Sequence, residues 1–332
     1  MPTVSVHEQA LGLARRIAAG HTPGAAELQF IAALQDGHVQ HLLEGIALLR
    51  ETVAPQDVHL CTICNIKSGL CTEDCRFCAQ ARGSTAEICT YPLLDVPEME
   101  RFLAENSKPP IDRCSLVSAG RRASAREVAA IVEALAASPK HAPHFCASLG
   151  LLGEVDLRRL AEAGLTRYHC NLETARSHFS SVVSTHSYDD KLATIEAARR
   201  AGLSLCVGGL FGMGETDDQI LELALALQSI QPAAIPVNFL VRVPGTPFAN
   251  LAVLSPARCL KIVALLRFAL PRTDILICGG RAQLLRDWQP QLFAAGASGI
   301  MTGNYLTTSG CAQQDDLALL RRIGLSPRRQ PT

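Results

Sequence analysis

The sequence predicts an α/β protein, a (β/α)8 TIM barrel preceded by an N-terminal helical extension. Three observations predict it. Eight short apolar segments, at 58–66, 112–119, 144–150, 167–173, 203–211, 233–243, 274–279 and 298–303, alternate with helical patterns. Three junctions repeat one arrangement, with Gly164, Gly202 and Gly296 each between a helical run and an apolar strand. Glycine can take the left-handed backbone that ends a helix without strain. The 332 residues suit one barrel of this kind. A doubly wound open sheet is the other architecture compatible with the same alternation.

In chain order, residues 1–55 read as a helical extension, because Leu42, Ile46 and Leu49 share one helix face. Residues 56–325 read as the barrel, and 326–332 as a frayed tail. Within the barrel, Val128, Ile131, Val132 and Leu135 recur at helical spacing. Ser187 with Asp190 and Thr216 with Gln219 each read as a capping box opening a helix.

Composition excludes several function classes. Lys+Arg and Asp+Glu balance at 31 each, so there is no net charge to attract nucleic acid or an anionic membrane. His7 and Glu8 precede any apolar stretch, and no apolar run approaches the ~18 residues of a membrane span. The expectation is a soluble, cytoplasmic protein. Thirteen cysteines, an odd number, argue against a secreted disulfide scaffold. In a reducing compartment they serve metal binding, redox chemistry or packing. Packing is the default for Cys89, Cys259 and Cys311.

Five cysteines fall between Cys61 and Cys78, and Cys71, Cys75 and Cys78 stand at C-x3-C-x2-C. Three thiolates can hold three corners of a 4Fe–4S cubane and leave the fourth iron open to a ligand. A structural zinc site wants four ligands, and Cys61 and Cys64 with Cys75 and Cys78 would supply two C-x2-C pairs. Against zinc, residues three apart on a strand face opposite ways and chelate poorly. That reading corresponds to a zinc-stabilised binding protein without turnover.

With Phe77 as its aromatic, the C-x3-C-x-Phe-C motif resembles the signature of the radical S-adenosylmethionine (SAM) superfamily. The resemblance implies a SAM-binding 4Fe–4S cluster that cleaves SAM to a 5′-deoxyadenosyl radical. The segment Gly208 to Glu215 is similar to the glycine-rich stretch that flanks the adenine in that superfamily, with Leu210 in place of isoleucine. Phe77, Gly208, Leu210 and Gly212 are the SAM-side residues it implies, and glycines would let the backbone approach a flat ring.

Four more cysteines, Cys114, Cys146, Cys206 and Cys278, lie in four different expected strands, and converging strands could bring their thiols together inside the barrel. Here the sequence resembles the biotin synthase family from about Leu34 to Pro327, through "IKSGLCTEDCRFCAQ", "YHCNLET", "GLSLCVGGLFGMGET", "IPVNFLVRVPGTP" and "GNYLTTSG". The resemblance implies insertion of sulfur into dethiobiotin, with an auxiliary iron–sulfur cluster as sulfur donor. It also implies a homodimer, a reductant protein such as flavodoxin or ferredoxin, and an iron–sulfur assembly system. Cys71, Cys75 and Cys78 match the SAM-cluster ligands, and Cys114, Cys146 and Cys206 the auxiliary thiolates. Asn171 and Asn238 match asparagines that hold dethiobiotin, and Glu173 a ribose-binding carboxylate. A relative acting on another small molecule, of the hydrogenase-maturation or methylornithine type, is the alternative within the superfamily.

The chain departs from that pattern in places. The auxiliary cluster's usual arginine position, counted back from Gly280 and Arg281, is Leu276, which cannot ligate iron. Cys278 is two residues on and so shares its strand face. The expectation is that Cys278 replaces the arginine, and four thiolates favour a four-iron auxiliary cluster over 2Fe–2S. The alternative keeps three cysteines with solvent or sulfide at the fourth position and Cys278 packed. His169 and Cys170 replace a common Asn-His, and His186 a common arginine. Cys61, Cys64 and Cys170 are extra thiols for which packing is the simpler role.

Overall fold

The computed structural model describes residues 5–106, 108–138 and 144–328. Its centre is a parallel sheet of nine strands: β1 (His59–Lys67), β2 (Arg113–Ser118), β3 (His144–Ser148), β4 (Leu165–His169), β5 (Ser204–Cys206), β6 (Gly209–Phe211), β7 (Ala234–Phe239), β8 (Asp274–Ile277) and β9 (Gly299–Met301). The strands are neighbours in the order β5-β4-β3-β2-β1-β9-β8-β7-β6, and the β5–β7 pairing closes the barrel. β5 and β6 are two halves of one barrel stave, so the count around the barrel is eight, as the sequence alternation predicts.

The split in the fifth stave has a local cause. A Cβ on Gly208 would lie 2.0 Å from the carbonyl oxygen of Pro236, so only glycine lets the two backbones pass. Pro236 has no N–H to donate, so the ladder must step there. Cys206 pairs with Ala234 below the step and Gly209 with Val237 above it.

Helices open where the capping boxes are expected: Ser187 caps Tyr188–Arg200 and Thr216 caps Asp217–Ile230. Gly164, Gly202 and Gly296 all take positive φ at helix ends. Strand alternation then sorts the side chains. Leu60, Leu116, Ala147, Tyr168, Ile235 and Ile277 join the core between barrel and helices. A separate cluster of Cys61, Cys206, Ala234, Leu276 and Cys278 fills the lumen.

The N-terminal segment forms helices Val6–Ala18, Ala25–Ala32 and Leu43–Thr52, and Leu42, Ile46 and Leu49 are buried. Buried Lys261 ties this segment to the barrel through the carbonyls of Ala32 (3.0 Å) and Leu34 (2.7 Å) and the carboxylate of Asp217 (3.0 Å). The expected frayed tail is corrected at its start. Val58 N–H donates to Ser326 O (3.0 Å), Arg328 N–H donates to Val58 O (2.8 Å), and Arg328 pairs with Asp274 (2.9 Å). Residues 329–332 lie outside the described residues. No helix among the described residues is long and apolar enough to cross a membrane.

Candidate active site: a thiol-lined barrel

A cavity of about 360 Å³ runs from the C-terminal mouth of the barrel down its lumen. Its wall includes Phe77 and Cys78 at the mouth, Asn171 and Asn238 midway, and Cys61, Cys146, Cys206 and Cys278 below. The mouth and floor therefore share one continuous cavity.

At the mouth, the loop after β1 carries Cys71, Cys75 and Cys78. Burial pushes the Cys78 thiol up to about 11, opposed by backbone N–H groups of Gln80 and Ala81 aimed at its sulfur. Burial also raises Cys75, and Glu173, Cys78 and Cys71 add to this, so the three sulfurs lie within electrostatic reach of one another. Three thiols on one loop, with N–H donors at one of them, fit an iron–sulfur cluster, whose sulfur ligands are stabilised by such bonds. Phe77 packs against an apolar group of Val182, Leu210, Met213, Leu240 and Phe248, a surface suited to a flat ring.

The cluster loop is docked by residues that sequence reasoning missed. Glu73 contacts the His186 ring and accepts from Thr185 Oγ1 (2.8 Å). Asp74 accepts from the Ser184 and Thr185 backbone N–H groups (2.9 and 3.2 Å). His186, noted only as a substitution for arginine, thus holds the loop. The signal was two adjacent carboxylates inside a cysteine loop, whose partners lie more than a hundred residues away.

The adenine-side glycines separate by role. Gly208 fits against Pro236 rather than facing the cavity, which corrects the expectation that it opens the backbone to a ring. Gly212 takes φ +99°, and its N–H and that of Met213 each donate to Glu215 (2.7 Å). Leu210 lines the cavity. Glu173 also lines it, at φ +68°, a strained backbone for a non-glycine residue, with its carboxylate 3.5 Å from Lys191 Nζ.

Asn171 Oδ1 accepts from Gly208 N–H (3.2 Å). Asn238 accepts from Gly279 N–H (2.9 Å) and donates to Gly209 O (3.3 Å). Both amides are fixed by backbone at the cavity wall, Asn171 in the loop just after β4 and Asn238 on β7. A fixed amide presents its remaining donor and acceptor capacity in one orientation.

On the floor, the sequence expectation fails at Cys114. Arg113, Ser115 and Val117 line the cavity, so Cys114, between the first two, faces the opposite way. It is fully buried in the outer core, with its sulfur 3.0 Å from the carbonyl oxygen of Asn106 at the end of helix Val96–Glu105. Cys146, Cys206 and Cys278 do face the lumen, and Leu276 shares their space as its register predicts. Cys61 faces the lumen too, whereas Cys64 packs outside with its thiol raised by burial, and by Glu98, to about 11. The paired-pair zinc arrangement is therefore not formed. Cys170 is also packed outward, near Lys191 O at 3.8 Å. Of the three cysteines expected to be packed, Cys259 is buried, Cys311 is half-buried and Cys89 is exposed.

Three features of the floor demand an anionic or hydrogen-bonding partner. Arg113 Nε, Arg167 Nη1 and Ser115 Oγ are buried there without hydrogen bonds. Buried polar atoms ordinarily have partners. His169 stays neutral because burial, then the charges of Arg167 and Arg113, pull its ring down to about 3. A second iron–sulfur group fits this donor set of soft thiols and unused N–H groups.

Comparison with known proteins agrees with the site. Residues 65–227 match the Radical SAM superfamily, and residues 236–326 match the Biotin and Thiamin Synthesis associated domain. The chain is 45% identical over 323 residues to the biotin synthase of Desulfatibacillum aliphaticivorans, covering 97% of this chain and 98% of that one. The chain belongs to the biotin synthase family. The biotin synthase of Trichlorobacter lovleyi is 42% identical over 94% of this chain and 95% of its own. Members of this radical SAM family work with a 4Fe–4S cluster and SAM. The fold also matches methylornithine synthase (TM-score 0.78, 18% identity, 96% of this chain and 97% of that one). It likewise matches the FeFe-hydrogenase maturase HydG from Carboxydothermus hydrogenoformans (TM-score 0.77, 19% identity, 96% and 79%). At such identity these two likenesses concern the fold alone.

Proposed function

We propose that this chain is a biotin synthase, which inserts sulfur into dethiobiotin in a radical SAM reaction. The observation that carries the reading is the shared cavity, with the C-x3-C-x2-C loop at its mouth and four thiols on its floor. When bound, the 4Fe–4S cluster and SAM would supply the radical that removes hydrogen from unactivated carbon, and an auxiliary iron–sulfur cluster would supply the sulfur.

The chain's own part is positioning and exclusion. Cys71, Cys75 and Cys78 would hold the first cluster, and Glu73 and Asp74 hold their loop down. Phe77 and Leu210 offer an apolar face to the adenine, and Glu173 an acceptor to ribose hydroxyls. Asn171 and Asn238 stand between mouth and floor, where a urea-like group between the two clusters would meet them. The apolar wall keeps water from the reacting carbons.

The same reading implies a homodimer in the cytoplasm, a flavodoxin or ferredoxin as electron donor and an iron–sulfur assembly system; these rest on the family likeness. We further propose the division into a helical extension at 1–55 and a catalytic barrel from 56, to which Ser326 and Arg328 are bonded back at Val58.

The test is anaerobic. Reconstituted protein, SAM, a one-electron reductant and dethiobiotin are mixed, and biotin and 5′-deoxyadenosine are quantified by mass spectrometry. About two deoxyadenosines per biotin are expected, since two C–H bonds must be opened. Deoxyadenosine without biotin, from protein with both clusters loaded, would reject the substrate and favour a relative acting on another small molecule.

A further inference from the structure

We propose that the floor of the barrel holds the auxiliary cluster on Cys61, Cys146, Cys206 and Cys278, with Cys114 excluded and Arg113 and Arg167 as its counter-cations. This rests on the reading above only in taking the floor to hold an iron–sulfur group.

The ligand set follows from strand geometry. On β2, Arg113 and Ser115 point into the lumen, so Cys114 points out, with the β2 backbone between its sulfur and the floor. Turning it inward requires a one-residue slip of β2, which would send Arg113, Ser115 and Val117 into the apolar outer core. β2 pairs without a break along β3, from Arg113–His144 to Val117–Ser148, and in step with β1 from Cys61–Arg113 to Asn65–Val117, so such a slip would break both ladders.

Cys61 occupies the vacated role. It is in register with Arg113 on one side and Met301 on the other, and it packs with Cys206 and Cys278 in the lumen. Cys146 lines the same cavity, and a charge on Cys61 would be felt by both Cys146 and Cys206. The four thiols therefore surround one space from four staves of the barrel.

The arginines supply the charge argument. Among the described residues neither forms an ion pair with a carboxylate. Arg113 reaches Cys146 Sγ at 3.7 Å and Thr166 Oγ1 at 3.1 Å, and Arg167 reaches Ser204 Oγ at 3.0 Å. Arg167 is buried, and Arg113, though half-buried, has its Nε shut off from solvent; a buried cationic group without an anion is costly. An oxidised 2Fe–2S or 4Fe–4S group on four thiolates carries a net charge of about −2, which two guanidiniums balance. The unused Arg113 Nε and Arg167 Nη1 are then donors toward cluster or cysteine sulfur.

The test isolates the floor. In a full-length Cys71→Ala/Cys75→Ala/Cys78→Ala chain, reconstituted anaerobically, iron and sulfide are counted and the Mössbauer spectrum is recorded. The background is expected to retain iron. Adding Cys61→Ala is expected to remove most of it or change its spectrum, whereas adding Cys114→Ala leaves both unchanged. Circular dichroism checks that each variant is folded. A Cys61→Ala spectrum identical to the background overturns the ligand set, as does loss of iron in a folded Cys114→Ala chain. A background without iron removes both this proposal and the second cluster of the proposed function. A loaded floor in wild-type protein that makes no biotin rejects only the substrate.

A second measurement addresses the arginines. Arg167→Gln should lower the reduction potential of the floor cluster, because removing a nearby positive charge disfavours the added electron, and Arg167→Lys should restore much of it. An unchanged potential in Arg167→Gln overturns the counter-cation role.

Discussion

Arg281 and Asp316 form a two-pronged ion pair, with both nitrogen–oxygen distances at 2.8 Å and both side chains shut off from solvent. Arg281 also donates to Met301 O (3.0 Å), so the pair joins the turn after β8, the last strand and the C-terminal helix Gln313–Arg322. Asp316→Asn leaves a buried guanidinium half-paired, and a loss of about 3–5 kcal/mol is expected in denaturant unfolding. The double change Arg281→Met/Asp316→Leu should recover much of that loss, because well-packed apolar groups often replace a buried pair. A single-variant loss under about 1 kcal/mol would contradict this account.

The contact of Glu73 with His186 is expected to govern how firmly the mouth cysteines keep their metal. Support of this kind typically changes metal affinity by about 10–100-fold. His186→Ala should therefore lose iron to a chelator about tenfold faster than wild type, with no change in the iron held on the floor. Equal release rates would show that the loop is held without His186.

Acid stability should depend on Asp274. Burial pushes its carboxyl up, but the His59 ring and the Arg328 guanidinium together outweigh this and hold it well below the usual carboxylate range. A carboxyl depressed in the folded chain stabilises it above the unfolded pKa of about 3.9. That contribution is lost as pH falls from there through the folded value. Asp274→Asn should cost about 2 kcal/mol at pH 7 and flatten the pH dependence of unfolding below about pH 4. A wild-type acid-unfolding slope in the variant would discard this assignment.

Two glycines in the same segment should respond differently to alanine. A methyl at Gly208 would meet Pro236 O at 2.0 Å, and backbone on both sides cannot yield. Gly208→Ala should cost about 3 kcal/mol or more, or prevent folding. Gly214 has open space around its Cβ position but a φ of +94°, so Gly214→Ala should cost about 1 kcal/mol through backbone strain alone. Comparable thermal midpoints for the two variants would undo the explanation of the stave's step.

Much of this site was legible in the sequence because its signals are local. The C-x3-C-x2-C spacing lies in one loop, and each helix cap is set by residues three apart. The face of Cys114 was legible in principle. In "RCSLVS" the polar Arg113 and Ser115 alternate with the apolar Cys114 and Leu116, and the outer face packed against the helices takes the apolar pair. Grouping the strand cysteines by residue type alone overrides that period of two. Cys61 was obscured by a near neighbour, Cys64, that faces the other way. The docking of Glu73 and Asp74 onto residues 184–186 was only half legible, since the adjacent carboxylates mark the loop's side of the contact and nothing local marks its partners across the mouth. Gly208 was misjudged for a related reason, because the atom that excludes a side chain belongs to a proline on the next stave.

The clamp of His59, Asp112, Asp274 and Arg328 closes the lower end of the barrel, with His59 3.2 Å from Asp112 and 3.5 Å from Asp274. The lumen then opens at the mouth, past the cysteine loop. On the proposed ligand set such a vessel would fill from the bottom upward, with iron for the deep thiols arriving before the upper loop closed over its own metal and nucleoside. A deep centre consumed as sulfur donor would be rebuilt only after the upper occupants had left, so repair and catalysis would alternate in time.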